Sequence, residues 1–240
     1  MFDASITPWH LHWSADAADV FHVDLQRCPD VEHEAIAWLS SEERARRLRL
    51  VCPQAQRQFT ICRASLRALL TERLGCRSSE LEFSMGPFGK PNCLVRGRPV
   101  PLEFNVSHSG AHGLIALSTK VPLGVDIEER RPGLAFLEIS ENVFCDDERA
   151  FLRGNPLEKT IRHFYRIWTI KEAVIKSVGR GFSLDPKTFA VPSELIRSAG
   201  DGCLTLPEEI TGARGQRLHL YMLPEVGCAT AALAFSVNWL

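Results

Sequence analysis

The densest chemical signal lies in Phe164 to Gly181, FYRIWTIKEAVIKSVGRG. Glu172 and Lys176 are four apart, so on a helix both head groups leave one face, a turn apart. Alone, such a pair is most simply a solvated contact worth a few tenths of a kcal/mol. A second acidic cluster changes that weighing. In Pro122 to Glu129, PLGVDIEE, Val125 and Ile127 alternate with Asp126 and Glu128. This is a strand pattern with one apolar face and both carboxylates on the other. The plain reading is a solvated outer strand face. Two such carboxylates also repel each other unless a cation lies between them. Hard oxygen ligands with an incomplete protein shell suit Mg²⁺ and leave room for phosphate oxygens. Glu172 would complete the set from the helix.

Other side chains suit an anionic ligand. Gly86 to Asn92, GPFGKPN, is a turn in which Gly89 and Pro91 bracket Lys90. It is either an ordinary surface turn or a rigid loop holding the lysine toward an anion. Leu102 to Ser109, LEFNVSHS, alternates as a strand and puts Ser107 and His108 near its end. No nucleophile elbow surrounds the serine, and neighbours on a strand face opposite ways, so a hydrolase triad is discounted. His108 remains open as a phosphate donor. His10, His12 and His22 have poor metal spacing and read as ordinary edge or turn histidines. Arg44, Arg46, Arg47 and Arg49 crowd one helix, as a solvated face or as a phosphate-holding surface.

The bulk properties leave the function to such local clusters. The chain has 240 residues and a formal net charge of −1, so no overall field argues for nucleic acid or membrane. Its eight cysteines are scattered without a CxxC pair and read as free thiols in a reducing cytoplasm. No basic-then-apolar leader and no membrane-spanning apolar run is visible.

The elements that must position these residues follow from periodicity and stop signals. Trp9 to Val23 suits a strand, a loop and a second strand. Val31 to Leu39 is a short helix. A second helix follows, capped by Ser40 or Ser41. Pro53 to Leu74 is a long amphipathic helix with Phe59, Cys62, Leu66, Leu69, Leu70 and Leu74 near helical spacing, ended by Gly75. Leu81 to Phe83, Leu102 to Ser109, His112 to Ser118 and Pro122 to Glu129 read as strands. Glu141 to Gly154 reads as one helix with an acidic start. Pro156 opens the helix that carries Glu172 and stops at Gly179, with Trp168, Val174, Ile175 and Val178 as its buried stripe. Phe182 to Val191, Leu204 to Leu206, Leu218 to Met222 and Cys228 to Val237 read as strands.

The two halves look like copies. SEERARRL precedes a helix from Pro53 to Gly75, and DDERAFL precedes one from Pro156 to Gly179. Aligned on the closing glycines, Leu66, Leu70 and Leu74 fall on Ile170, Val174 and Val178, and Arg67 falls on Lys171. Glu43-Arg44-Ala45 matches Glu148-Arg149-Ala150. The expected fold is α+β, with two similar α+β halves, residues 1–120 and 121–240, forming an intramolecular pseudo-dimer with a ligand cleft between them.

FGKP, FNVSHSG, GVDIE and FYRIWTIKEAVIK followed by GRGF, in that order, resemble the signature blocks of the Sfp-type 4'-phosphopantetheinyl transferases. The blocks cover Phe88 to Phe182. The resemblance implies transfer of 4'-phosphopantetheine from coenzyme A to a serine of an apo acyl or peptidyl carrier protein. Adenosine 3',5'-bisphosphate would be the other product. It implies that Asp126, Glu128 and Glu172 hold Mg²⁺, that Lys176 and His108 contact phosphates, and that Glu172 is the candidate base. Lys90 and Pro91 of the GKP block and Ser107 beside His108 would belong to the coenzyme A site, with Arg44, Arg47 and Arg63 as partners for the 3'-phosphate. The family usually has leucine where Phe182 stands, which would reshape the wall near the pantetheine arm. The implied protein is a cytoplasmic monomer serving fatty acid, polyketide or nonribosomal peptide synthesis, without nucleic-acid or membrane partners. The alternatives are another Mg²⁺-dependent phosphoryl-transfer enzyme and a non-enzymatic carrier-binding module.

Overall fold

The computed structural model describes residues 7–26, 29–131, 133–211 and 215–237. The chain is α+β. Strands β1 (Trp9–Ala15) and β2 (Ala18–Asp24) form a hairpin. Helices α1 (Pro29–Trp38), α2 (Ser41–Leu48) and α3 (Pro53–Leu74) follow, then β3 (Leu81–Met85), β4 (Pro91–Val95), β5 (Arg98–Pro99), β6 (Glu103–Ser109) and β7 (His112–Ser118). The rest comprises β8 (Leu123–Glu129), α4 (Phe136–Val143), α5 (Asp146–Arg153), α6 (Leu157–Val178), α7 (Ser193–Arg197), β9 (Asp201–Leu206), α8 (Glu208–Thr211), β10 (Gln216–Met222) and β11 (Ala229–Ser236). Short 3₁₀ turns occupy Ser78–Glu80, Gly181–Ser183 and Pro186–Thr188.

Two four-stranded antiparallel sheets have the orders β1-β2-β7-β6 and β8-β11-β10-β9, and β3-β4-β5 form a small third sheet. Alternation along each strand decides what each face covers. In β7, Ile115 and Leu117 pack with Ile61, Leu66 and Leu70 of α3. Leu114 and Ala116 point the other way, into a core with Val125, Ile127, Ala231 and Leu233 of the second sheet. In β11, Ala232 and Ala234 meet Ile167, Ile170 and Val174 of α6. The layers therefore run helix, sheet, sheet, helix. Both 22-residue helices end on a glycine in the left-handed region, Gly75 at φ 61° and Gly179 at φ 73°, where a Cβ would be strained.

The two long helices are anchored alike. Glu43 closes a capping box with Ser40 at the start of α2 and pairs with buried Arg67 at 3.3 Å. Arg67 then donates to the carbonyls of Ser78 and Leu81 beyond its own helix. Glu148 closes the equivalent box with Cys145 at the start of α5 and pairs with buried Lys171 at 2.9 Å. Lys171 donates to the carbonyls of Pro186 and Phe189. Arg67 is thus an internal pairing residue, not part of a basic surface.

Three sequence expectations change. Glu141 to Gly154 is not one helix: α4 ends at Val143, Phe144 is extended (φ −101°, ψ 146°), and Cys145 caps α5. Phe182 to Val191 forms no strand. Asp185 accepts from Lys187 N–H and turns the chain, and Lys171 takes the carbonyls a ladder would need. Only Val174 of the expected stripe is fully buried; Trp168, Ile175 and Val178 pack partly buried against the core, and Trp168 also lines cavities. Strands β4 and β5 and helices α7 and α8 carry no pattern that the sequence analysis used.

Candidate active site

Strand β8 and helix α6 approach more closely than side chains allow. A Cβ on Gly124 would lie 2.2 Å from Ala173 O and 2.3 Å from Ser177 N. Only glycine lets the helix backbone rest on the strand here. The contact brings Lys176 of α6 over Asp126, with Lys176 Nζ 2.6 Å from Asp126 Oδ1. The ammonium also reaches Ser107 Oγ at 3.0 Å and Val125 O at 3.3 Å.

Strand β6 meets the same strand from the other sheet. Ser107 Oγ donates to Asp126 Oδ1 and Ser109 Oγ to Glu128 Oε2, each at 2.7 Å. Val125 N–H donates to Asn105 Oδ1 at 3.0 Å. Asn105, Ser107 and Ser109 lie two apart, so one side of β6 matches one side of β8. Trp168 of α6 lines the same cavity as Ser109 and Glu128.

The carboxylates are crowded and dry. Asp126 is 2% exposed, and its Oδ2 is buried without a partner. Burial, then the Asp126 charge, pushes Glu128 above the usual carboxylate range, against the pull of the Ser109 bond and Lys176. Glu172 is raised by the same two causes in the same order. Among the described residues no hydrogen bond or ion pair holds Glu172. Lys176 is the only cation directly paired with this cluster among the described residues, so negative charge remains in surplus. An orphaned buried carboxylate oxygen in an all-oxygen donor set fits a hard divalent cation. Among the described residues, however, no three His, Cys, Asp or Glu side chains already converge as a cation cage.

Cavities open around the cluster. One of about 400 Å³ is lined by Phe88, Lys90, Pro91, Trp168, Glu172 and Lys176, among others. A second, about 260 Å³, includes Arg46, Phe59, Arg63, Pro91, Asn105 and His108. A third, about 270 Å³, lies against Ser109, Glu128, Glu129, Arg131, Tyr165 and Trp168. Polar groups near the cluster thus face space large enough for a ligand.

The sequence-derived residues divide on this geometry. Asp126, Glu128, Glu172, Lys176 and Ser107 come together, and His108, the next residue on β6, lines the second cavity. Desolvation, then the nearby Lys176 charge, lowers the His108 pKa and favours a neutral ring. Lys90 lines the first cavity, but its ammonium donates to Leu123 O at 3.1 Å and pairs with Glu103 at 3.4 Å. Arg63 faces the second cavity, 4.6 Å over the Phe83 ring. Arg44 and Arg47 do not line these cavities. Arg44 donates to Leu39 O and Ala37 O, and Arg47 to Glu32 and Thr60. Arg46 lines the second cavity instead. The Phe182 side chain lies outside the described residues. Trp168, Asn105 and Ser109 were missed; the two-residue spacing from Ser107 was the available signal for the last two.

The histidines outside this site also cluster. His22 is buried, with its Nε2 3.1 Å from His112 Nδ1 and His10 and His12 nearby. They are neighbours across strands β1, β2 and β7, and they do not form a metal cage.

Comparison with known proteins decides the family. The 4'-phosphopantetheinyl transferase HetI of Nostoc sp. is 32% identical over 234 residues, covering 97% of this chain and 93% of that protein. The chain belongs to the Sfp-type 4'-phosphopantetheinyl transferase family. A sequence model of the 4'-phosphopantetheinyl transferase superfamily matches residues 122–205, the segment that holds β8 and α6. The 4'-phosphopantetheinyl transferase Sfp of Bacillus subtilis is 29% identical, covering 78% of this chain and 80% of that protein. A Synechocystis protein provisionally named a 4'-phosphopantetheinyl transferase is 42% identical over 147 residues, 61% of this chain. That alignment spans only 59% of the Synechocystis protein. Membership in a transferase family sets aside the non-enzymatic binding module. Among the described residues no helix is long and apolar enough to cross a membrane.

Proposed function

We propose that this transferase moves the 4'-phosphopantetheine arm of coenzyme A to a serine of an apo acyl or peptidyl carrier protein and releases adenosine 3',5'-bisphosphate. The observation that carries the reading is the buried Asp126 carboxylate, orphaned at Oδ2 and held at Oδ1 by Lys176, between Glu128 and Glu172 beside the cavities. A pyrophosphate is the kind of ligand such a mixed cluster accommodates, since it brings oxygens for a cation and negative charge for a lysine.

Asp126, Glu128 and Glu172 are the residues that would hold Mg²⁺. When bound, the ion would neutralise charge on the pyrophosphate oxygens. The chain's own groups do the rest. Lys176 binds phosphate oxygens and stabilises the charge that grows on the leaving bisphosphate. His108, kept neutral, donates one N–H to a phosphate. Arg63 and Arg46 line the space where a further phosphate fits, which Arg44 and Arg47 do not. Lys90 and Pro91 wall the cavities. The carrier serine Oγ attacks phosphorus, the bridging P–O bond to adenosine 3',5'-bisphosphate breaks, and the serine proton passes to Glu172. The raised pKa of Glu172 favours proton acceptance in the unloaded site, whereas a nearby cation would lower it.

The internal repeat supports a pseudo-dimer of residues 1–120 and 121–240 with the ligand cleft between them. The matched anchors Glu43–Arg67 and Glu148–Lys171 and the facing sheets favour it. The same reading takes the chain as a cytoplasmic monomer.

The test is intact-mass measurement of an apo carrier protein after incubation with this chain, coenzyme A and Mg²⁺, beside an EDTA control. One added phosphopantetheine that disappears with EDTA is expected. No gain on fatty-acid, polyketide and nonribosomal-peptide carriers, from folded enzyme, would overturn the reading.

A further inference from the structure

Strands β6 and β8 meet with matched spacing, and their two serine–carboxylate bonds are not equivalent. Ser107 is shared between Asp126 and the Lys176 ammonium. Ser109 is committed differently. Its Oγ accepts the Glu129 N–H at 3.2 Å and donates to Glu128 Oε2 at 2.7 Å. Occupying the acceptor side orients the hydroxyl, so its one proton points to Glu128. Trp168 of α6 lines the cavity that Ser109 and Glu128 share. Its ring is itself stacked on Phe164, with centroids 5.8 Å apart and planes 25° apart. Glu128 is therefore held by Ser109 on β6, with the fixed Trp168 ring walling the same cavity.

A free glutamate has several rotamers to lose when it takes up a cation. A glutamate already fixed by neighbours does not lose them at that moment, and binding tightens accordingly. We propose that Ser109 is a positioning residue that holds Glu128 ready for the divalent cation. The inference rests on the Mg²⁺ reading given above. Ser109 does not need to touch phosphate for this role. Outer partners of ligating carboxylates are typically worth about 10–100-fold in metal affinity or activity.

Mn²⁺ titration followed by its free-ion paramagnetic resonance signal measures cation affinity directly, without turnover. Wild type, Ser109→Ala, Ser109→Val and Ser109→Thr would be compared, with metal-free melting curves as a check on folding. Ser109→Ala and Ser109→Val are expected to weaken Mn²⁺ binding about tenfold, while Ser109→Thr, which keeps the hydroxyl, stays near wild type. The Mg²⁺ needed for half-maximal transfer should rise by the same factor, with rate recovered as Mg²⁺ is raised. If one of the two variants without the hydroxyl does not fold, the other decides. Wild-type Mn²⁺ affinity in the folded variants, or no rescue by threonine, would overturn the positioning role while leaving the transferase reading standing. A wild type that binds no Mn²⁺ and transfers in EDTA would remove the metal reading itself, and this proposal with it.

Discussion

Lys171 Nζ lies 2.9 Å from Glu148 Oε2, and both side chains are almost wholly buried. The pair joins three elements. Glu148 also accepts from Cys145 N–H at the start of α5 and from Val191 N–H at 2.8 Å. Lys171 donates to Pro186 O at 2.7 Å and Phe189 O at 2.6 Å, and sits 4.5 Å over the Phe189 ring. Burial lowers the Lys171 pKa, opposed by the Glu148 charge. Because Lys171 precedes Glu172, this anchor also sets how α6 presents the candidate base.

Removing one partner of such a pair strands the other in a dry interior. Lys171→Met is expected to cost about 3–5 kcal/mol of stability, and Lys171→Met with Glu148→Leu much less. Urea unfolding of the two single variants and the double variant measures the coupling. Equal losses in the single and double variants would mean that the ion pair is not what anchors α6.

Burial first, and then the Asp126 charge, raise both Glu128 and Glu172, and Asp126 holds Lys176 in place. Asp126→Asn keeps the shape and removes the charge. Transfer is expected to fall by about a thousandfold or more, since charge neutralisation carries most of the work in phosphoryl transfer. A melting temperature within a few degrees of wild type would show that the loss is chemical. Near-wild-type transfer by this variant would be fatal to the proposed cluster.

Local rules made much of this legible. The closing glycines and the starting prolines marked α3 and α6, and period-two alternation put Asp126 and Glu128 on one face. The α4–α5 break was missed because its cap is Cys145, not a usual capping residue. The repeat carried the answer, since Glu148 aligns with Glu43 and each sits three residues after a cap. The 182–191 segment reads as β by composition, but its carbonyls are claimed by a lysine in a distant helix. Trp168 has helical core spacing; only the fold reveals that Glu128 lies within its reach.

His22 offers a pH prediction away from the site. Burial first, then the charges of His112, His10 and His12, lower its pKa to about 4, with Asp24 pulling weakly the other way. An unfolded histidine titrates near 6.5. Between those values the unfolded chain binds more protons, so this contribution is complete above about pH 6.5 and is lost as pH falls toward 4. Wild type should lose about 2 kcal/mol from this group between pH 7 and pH 5, and His22→Phe should lose correspondingly less. Urea midpoints at the two pH values, corrected with each slope, provide the comparison. Identical pH dependence in both proteins would assign the loss to other groups.

Gly124 has the most direct structural consequence. Its missing side chain lets β8 touch the backbone of α6 at Ala173, Lys176 and Ser177. Gly124→Ala would push the helix off the strand, because the obstructing atoms are backbone and cannot rotate aside. The expected cost is about 1–3 kcal/mol or more in stability. The functional cost should be larger than the stability cost, since Lys176 and Glu172 ride on α6 while Asp126 stays on β8. Transfer assayed well below the variant's melting temperature separates the two effects. Full activity in a folded Gly124→Ala protein would mean that the 2.6 Å approach of Lys176 to Asp126 is not needed for the reaction.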